Sequence, residues 1–444
     1  MSIPPRRTAF TLVAVLLLAL LGPATAANAQ LPRLPICGIL GLPPCSPPPP
    51  TAPPTPQPIV NPLSVPNLER ECGDARGNVP ASRPNPRGVD PSSPNPLAGL
   101  SFFVDPSHAS VKDTARYRRA GQQRNADLVA RLARQPKAHW FGKFTRPNPI
   151  RKIRNYLNCV QVFQPGAVPL LVVLRHQGKQ CNPRYTAGGP AEDTASRRWY
   201  DDFVTAVGSS RVVIGFEPDS IGTISCLAAS RRKARRDLLR YGVDRLSKLP
   251  NATIYLEGTA SDWKSPRYTA RLLRYIGIDK VRGFMLNVTH YDWTINNLRY
   301  GNKVSRMVGG KPFVVSTSYN GRGPVHYLTG RPRHKRRINV FCNPRFRGLG
   351  PAPRTSTGVA KVDAFLWLNR PGLSGAGTCN GAPPKAGDWW PQRALMFSRY
   401  ATELLGPPRG TKFGFRRRIS LCRLGAPVKG QRYSTVAPER RCRR

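Results

Sequence analysis

From Leu100 to Leu405 the chain alternates short, almost wholly apolar runs with longer polar or amphipathic segments, and that rhythm limits what it can fold into. A run too short for a helix, with hardly a polar position inside it, suits a strand buried on both faces. Eight strands are predicted, at Leu100–Val104, Ala138–Phe141, Pro169–Leu174, Arg211–Phe216, Thr253–Leu256, Arg282–Leu286, Pro312–Val315 and Ala364–Leu368. Amphipathic helices are predicted at Asp113–Arg134, Thr194–Val207, Ser230–Leu249, Arg267–Ile276 and Trp390–Leu405. Strand and helix in alternation give parallel strands joined by crossovers. The expected fold class is therefore α/β, a distorted parallel (β/α) barrel of seven to eight strands. Barrels of this kind gather their chemistry at the carboxyl ends of the strands.

The flanks follow a different logic. Arg6 and Arg7, the apolar run Ala9–Leu21 and Ala27-Asn28-Ala29 before Gln30 have the form of an export signal, so residues 1–29 are read as a signal peptide and the chain as secreted and extracellular. The apolar core is shorter than the roughly 20 residues of a membrane span, and no later stretch approaches that length, so no spanning segment is expected. Residues 30–97 form a proline-rich linker that includes Pro47 to Pro50, a composition that favours extended spacers over packed cores. The barrel domain is placed at 98–406 and a basic tail at 407–444. Ten cysteines in an exported chain point to disulfides rather than to metal, because the compartment is oxidising and no metal-ligand spacing occurs.

Seventy Lys and Arg stand against 23 Asp and Glu, a formal charge of +47. Such a surface attracts polyanions, for which an anionic cell-wall or surface polymer is the partner expected. Runs such as Arg231-Arg232-Lys233 read as a solvated helix face. No RNP-like aromatic pattern, basic heptad helix or paired Cys–His finger supports nucleic-acid readout, so no nucleic-acid partner is expected.

Polar and aromatic residues follow the predicted strands at Gln177–Arg184, Glu217–Ser220, Glu257–Trp263, Asn287–Trp293, Ser316–Asn320 and Asn369–Pro371. Within or beside them stand FEPDS at 216–220, YLEG followed by Trp263, GFMLNVTHYDW at 283–293, VVSTSYNGRGP at 314–324, FCNPRFRGLG at 341–350, DAFLWLNRPG at 363–372 and AGDWWPQRA at 386–394. In register from about Phe102 to Glu403, these segments resemble glycoside hydrolase family 6, the cellobiohydrolases and endoglucanases that cut β-1,4-glucan with inversion on a distorted barrel. The resemblance implies a polysaccharide substrate, no metal and no organic cofactor. It also implies two disulfides, Cys181 with Cys226 and Cys342 with Cys379.

An inverting glycosidase needs one protonated carboxyl, to donate to the leaving oxygen, and one ionised carboxylate, to draw a proton from attacking water. By the resemblance, the acid falls on Asp219. A second catalytic candidate, Glu257, stands where the family has an aspartate. Substrate-binding positions fall on Thr186, Trp263, Asn287, Phe341, Trp367 and Asn369. Several family carboxylates are replaced: the acid's neighbour by Gln180, the aspartate on the base side by Gly375, another by Ser316. A family glutamate falls on Leu373, the loop histidine on Ala260, and a cleft tryptophan on Ser107.

Three functions compete. One is a glycosidase with Asp219 as acid and Glu257, Asp193 or Asp262 recruited to activate water, with Arg175, Lys179, Arg184 and Arg322 suiting it to an anionic glycan. Another is a pseudoenzyme that holds sugar on Trp263, Trp367 and Phe341 without turnover. The third is an electrostatic adhesin. Two bland alternatives stand beside them: Asp219 as a cap for the helix near Ile221, and arginines that merely belong to a basic chain. Glu217 is read as structural.

Overall fold

Seven of the eight predicted strands form one parallel sheet. In chain order they are β1 (His139–Gly142), β2 (Leu170–Leu174), β3 (Val212–Phe216), β4 (Ala252–Glu257), β5 (Gly283–Leu286), β6 (Phe313–Ser316) and, after the antiparallel pair β7 (His326–Thr329) and β8 (Arg336–Val340), β9 (Val362–Leu366). The computed structural model describes residues 92–176, 189–329, 336–375, 379–383, 385–408 and 433–434. All of them lie in the unit Pro58–Arg444. The predicted signal peptide, the proline-rich linker up to residue 91 and nearly all of the basic tail fall outside them.

The sheet order is β1-β2-β3-β4-β5-β6-β9, so β1 and β9 are its two edges. The curl brings those edges together: Ala138 N donates to Trp367 O at 3.0 Å and Trp140 Nε1 to Leu368 O at 2.8 Å. The result is a distorted α/β barrel. The eighth predicted strand, Leu100–Val104, contributes only a parallel bridge from Phe102 to Val168.

Alternation along each strand builds two cores. Leu171, Val173, Ile214, Phe216, Ile254, Leu256, Phe284, Leu286, Phe313 and Val315 face the surrounding helices. Leu170, Val172, Val213, Tyr255, Met285, Val314, Ala364 and Leu366 fill the barrel interior. Since both faces are covered, the strands read as unbroken apolar runs. The interior is tight enough to need Gly215 on β3, where an added Cβ would lie 2.7 Å from Met285 Sδ.

The helices depart from expectation at several places, among them a helix over Thr294–Met307 where none is predicted. Asp113–Arg134 is two helices, α1 (Ala109–Arg119) and α2 (Gln123–Ala133), because Gly121 between them takes φ 68° and ends the first. Helix α3 (Pro149–Phe163) was not foreseen; it starts with Asn148 accepting from Arg151 N at 2.9 Å and a proline in the first turn. The expected Trp390–Leu405 helix stops at Arg399. The remaining helices are α4 (Pro190–Val207), the single turn α5 (Ser220–Thr223), α6 (Ala229–Leu246), α7 (Pro266–Ile276), α8 (Thr294–Met307) and α9 (Pro391–Arg399). Among the described residues no helix is long and apolar enough to cross a membrane.

At the amino end of the barrel a buried ion pair joins the start of β5 to β9, two strands away in the sheet. Arg282 donates to Asp363 at 2.9 and 3.0 Å, Tyr255 OH donates to the same carboxylate at 2.7 Å, and Arg282 Nη1 reaches Ser93 Oγ at 2.9 Å.

Candidate active site

The carboxyl ends of β3, β4 and β5 share an unusual backbone. Glu217, Asp219, Thr259 and Asn287 all have positive φ, between 56° and 68°. Left-handed conformations are costly for residues with a Cβ, most of all for a β-branched one such as Thr259, and they persist where surrounding contacts over-determine them. Thr259 is held by hydroxyl contacts to Tyr300 at 2.8 Å and Thr269 at 3.1 Å. The two turns in FEPDS send neighbouring carboxylates to different environments.

Glu217 points inward and is saturated. It accepts from Arg175 N at 2.8 Å, His176 N at 3.0 Å and Tyr200 OH at 2.8 Å, and is wholly buried. Asp219 precedes α5 without capping it, since its side chain makes no bond to the helix amides. It turns instead to Thr289, whose hydroxyl donates to Oδ1 at 2.5 Å. The cap is supplied from β4: Glu257 Oε2 accepts from the amides of Ile221 and Gly222 and, at 3.3 Å, from Ser220 Oγ.

Burial raises the pKa of Asp219, against the opposing pull of the Thr289 hydroxyl and of His290. Glu257 is pushed well above the usual carboxylate range, first by burial and then by the charge of Asp219. An ionised Asp219 thus disfavours charge on Glu257. Asp292 is raised by burial and by Asp262. Among these acids stands His290, 5% exposed, with Nδ1 2.7 Å from Asp262 Oδ1. Burial works against its charged form, but Asp262, Asp219 and Asp292 together carry its pKa upward.

Trp263 stacks on His290 with centroids 4.9 Å apart, and Phe341 meets the same ring edge-on at 4.5 Å. Trp263 also lies against α5 at Gly222, where a Cβ would come within 2.0 Å of the indole. The other side of the site, beyond β6 and β9, carries hydroxyls and amides. Ser316 and Ser318 hydroxyls are 3.1 Å apart, Asn369 Oδ1 accepts from Tyr319 OH at 3.0 Å, and Gly375 N donates to Asn343 Oδ1 at 2.8 Å. Arg370 lies over the Trp140 ring at 5.1 Å. Among the described residues no group of three or more His, Cys, Asp or Glu is arranged to hold a metal ion.

Residues 97–401 match the family described as Glycosyl hydrolases family 6. The chain belongs to that family. It is 30% identical to Endoglucanase A of Cellulomonas fimi over 311 residues, 69% of this chain and 62% of that protein, so it spans less than two thirds of that relative's length. Against Endoglucanase 1 of Streptomyces halstedii it is 27% identical over 326 residues, 71% of this chain and 92% of the relative. The solved endoglucanase Cel6 of Mycobacterium tuberculosis, in complex with a methyl-cellobiosyl-thio-cellobioside, superposes with TM-score 0.59 at 34% identity, covering 69% of this chain and 99% of that one.

Within this family 6 chain the residues expected to bind substrate divide. Trp263, Phe341 and Asn369 border the acid cluster and are partly exposed. Asn287 is 2% exposed, its amide donating to Asp292 O and Ser316 O at 3.1 Å each, so it ties strand ends together. Trp367 is likewise 2% exposed, with Nε1 on Pro351 O at 3.1 Å, which puts its ring in the core and out of a sugar's reach. Thr186, Gln180, Lys179 and Arg184 lie outside the described residues. The other expected cations are engaged: Arg175 bonds Glu192 at 2.7 Å, and Arg322 lies over the Tyr400 ring at 4.4 Å. Asp193 is paired with Arg231. Cys159, Cys226 and Cys342 are disulfide-bonded, while Cys181 and the Cys379 side chain lie outside the described set. Thr289, His290 and Asp292 were not singled out in the sequence. Their signal was there, a polar and aromatic THYD two residues after the apolar strand GFML.

Proposed function

We propose that this chain is a secreted glycoside hydrolase that cleaves β-1,4-linked glucan with inversion, using Asp219 as the general acid. The observation that carries the reading is the setting of Asp219: a carboxyl on a strained turn at the end of β3, partly open to the cleft, raised by burial and adjacent to the buried Glu257. Inversion requires such a carboxyl to keep its proton until the glycosidic C–O bond breaks, while water attacks the anomeric carbon from the opposite face. Gln180 leaves no carboxylate at the neighbouring position, so the proton on Asp219 is favoured by burial, while the charge of Asp219 in turn favours the protonated form of Glu257. Trp263 and Phe341 offer ring faces for sugars. The endoglucanase names of the relatives supply the substrate class.

One observation favours a second reading, a sugar-holding pseudoenzyme. The position of the family's base-side aspartate is Gly375, whose amide is tied to Asn343, so no carboxylate stands there. Release of reducing ends from cellulose and soluble β-1,4-glucan, by the wild type and by Asp219→Asn, separates the two. Hydrolysis that gives the α-anomer first by NMR, and is lost in the variant, supports the proposal. Glycan binding equal in both proteins with no release from either establishes the pseudoenzyme. Uronic-acid glycans in the same assay test the anionic alternative. Recovery of a mature chain beginning at Gln30 from the medium tests secretion, and salt-sensitive retention on anionic wall polymer tests the basic surface.

A further inference from the structure

We propose that His290, oriented by Asp262, is the proton carrier that recharges Asp219 after each turnover, a role that rests on the hydrolytic reading above. The geometry is built for a proton rather than for a sugar. Asp262 Oδ1 holds Nδ1 at 2.7 Å, with the two side chains 7% and 11% exposed. That bond fixes the ring's orientation and tautomer, leaving Nε2 as the nitrogen that exchanges protons. Trp263 stacks on one face of the ring, Phe341 meets it edge-on, and little of the residue is left exposed. Thr289, the residue before it, holds Asp219 at 2.5 Å, so histidine and acid are fastened to one short loop after β5.

The step balances without an added reagent. When Asp219 has given its proton to the leaving oxygen it is a carboxylate beside Glu257, in a wall that disfavours charge. The Nε2–H bond of the imidazolium breaks, an O–H bond forms on Asp219, and the ring is left neutral. It regains a proton from solvent, replacing the one released by the attacking water. Three carboxylates act on the ring: Asp262, from the loop between β4 and α7, by direct contact, and Asp219, from the turn after β3, and Asp292, from its own loop, through their charge. Their combined charge outweighs burial and keeps the ring's affinity for protons above the ordinary histidine value. His290 acts through Asp219, so it is a positioning residue and not itself a catalytic one.

The test is kcat, KM and their pH profile for His290→Ala and Asp262→Asn on a soluble β-1,4-glucan. His290→Ala is expected to lower kcat by about tenfold to a hundredfold, within the range for proton-transfer groups, with KM changed less than about twofold. Added imidazole should restore part of the rate by filling the gap between Trp263 and Phe341. Asp262→Asn should move the alkaline limb of kcat to lower pH, because the ring then loses its proton earlier. Loss that falls on KM, or no rescue together with an unmoved limb, overturns the role. A readout independent of turnover is the NMR titration of His290, expected above about 6.5 in the wild type and lower in Asp262→Asn. An unshifted titration overturns the proposal even in an active enzyme. The expected titration in a chain that cleaves no glucan instead sinks the hydrolytic reading, and the relay with it.

Discussion

At the amino end of the barrel Arg282 grips both oxygens of Asp363, Tyr255 donates to one of the same oxygens, and Ser93 takes up the remaining guanidinium nitrogen. At the carboxyl end Asp219, Glu257 and Asp292 share a wall with one imidazole and a few hydroxyls, and all three carboxyls are held above their ordinary pKa. Both groups are buried, yet only the first is matched charge for charge. A matched pair is inert: neither partner gains by changing its proton count. An unmatched acid cluster stores the tendency to take up a proton, which is what a general acid must have. The fold thus uses one pole to fix the strands and the other for chemistry.

The largest test of that contrast is Asp219→Asn. Hydrolysis should fall by about 10²- to 10⁴-fold while thermal stability holds or rises, since a buried acid that disfavours its charge is replaced by a neutral group. A destabilised but still active variant would make Asp219 a structural residue like Asp363. The matched pole should respond in reverse. Asp363→Ala leaves Arg282 buried without its counter-ion and is expected to cost about 3–5 kcal/mol of stability by denaturant unfolding, with kcat of the folded fraction unchanged. A loss below about 1 kcal/mol would show that Ser93 and water suffice, and the contrast between the poles would lose its footing.

The two poles also differed in how far the sequence revealed them. Every strand of the sheet was foreseen, because burial on both faces leaves an unbroken apolar run such as LLVVL or VVIGF. Leu100–Val104 reads as a strand for the same reason but forms only a bridge, since apolarity is a condition for burial, and pairing depends on neighbours the run does not contain. The strand ends pointed to the right loops through their carboxylates and aromatic residues. What stayed hidden was direction. Glu217 and Asp219 are two residues apart and chemically alike, yet with left-handed turns at both one is sealed and the other stays partly exposed beside Thr289. Trp367 reads from the sequence as a sugar platform because tryptophan is apolar and stackable in either setting. The pairing of His290 with Asp262 spans 28 residues and two loops, a distance over which no local pattern reports.

A smaller effect tests how the acid pole is scaffolded. Gly222 packs so closely on Trp263 that a methyl group would sit 2.0 Å from the indole, so Gly222→Ala must tilt the ring or lift α5. Overpacking of this kind costs about 1–3 kcal/mol. Because Trp263 covers His290 and α5 carries the amides that bind Glu257, the variant should lose glycan affinity along with stability. Gly242→Ala, where a Cβ would meet the Phe216 ring at 2.6 Å on the helix side of the sheet, should cost comparable stability without touching affinity. Equal loss of affinity in both would mean that Trp263 is no part of the sugar site.

The subtlest expectation concerns the pH dependence of stability. Glu257 has a folded-state pKa raised by burial and by Asp219, so its protonation favours the folded chain. That contribution is fully present below the unfolded glutamate value of about 4.3 and is lost as pH rises through the raised folded value. The melting temperature of the wild type should therefore gain on mild acidification from neutrality, until the matched carboxylates begin to protonate. Glu257→Gln keeps an oxygen to accept from the Ile221 and Gly222 amides but has no proton to exchange, so its melting curve should be flatter across the same interval. The slope should flatten without vanishing, because Asp219, Asp292 and Glu217 are raised in the same direction. If the two proteins melt in parallel at every pH, Glu257 is only a helix cap, and the acid pole contains one unmatched carboxyl fewer than its geometry implies.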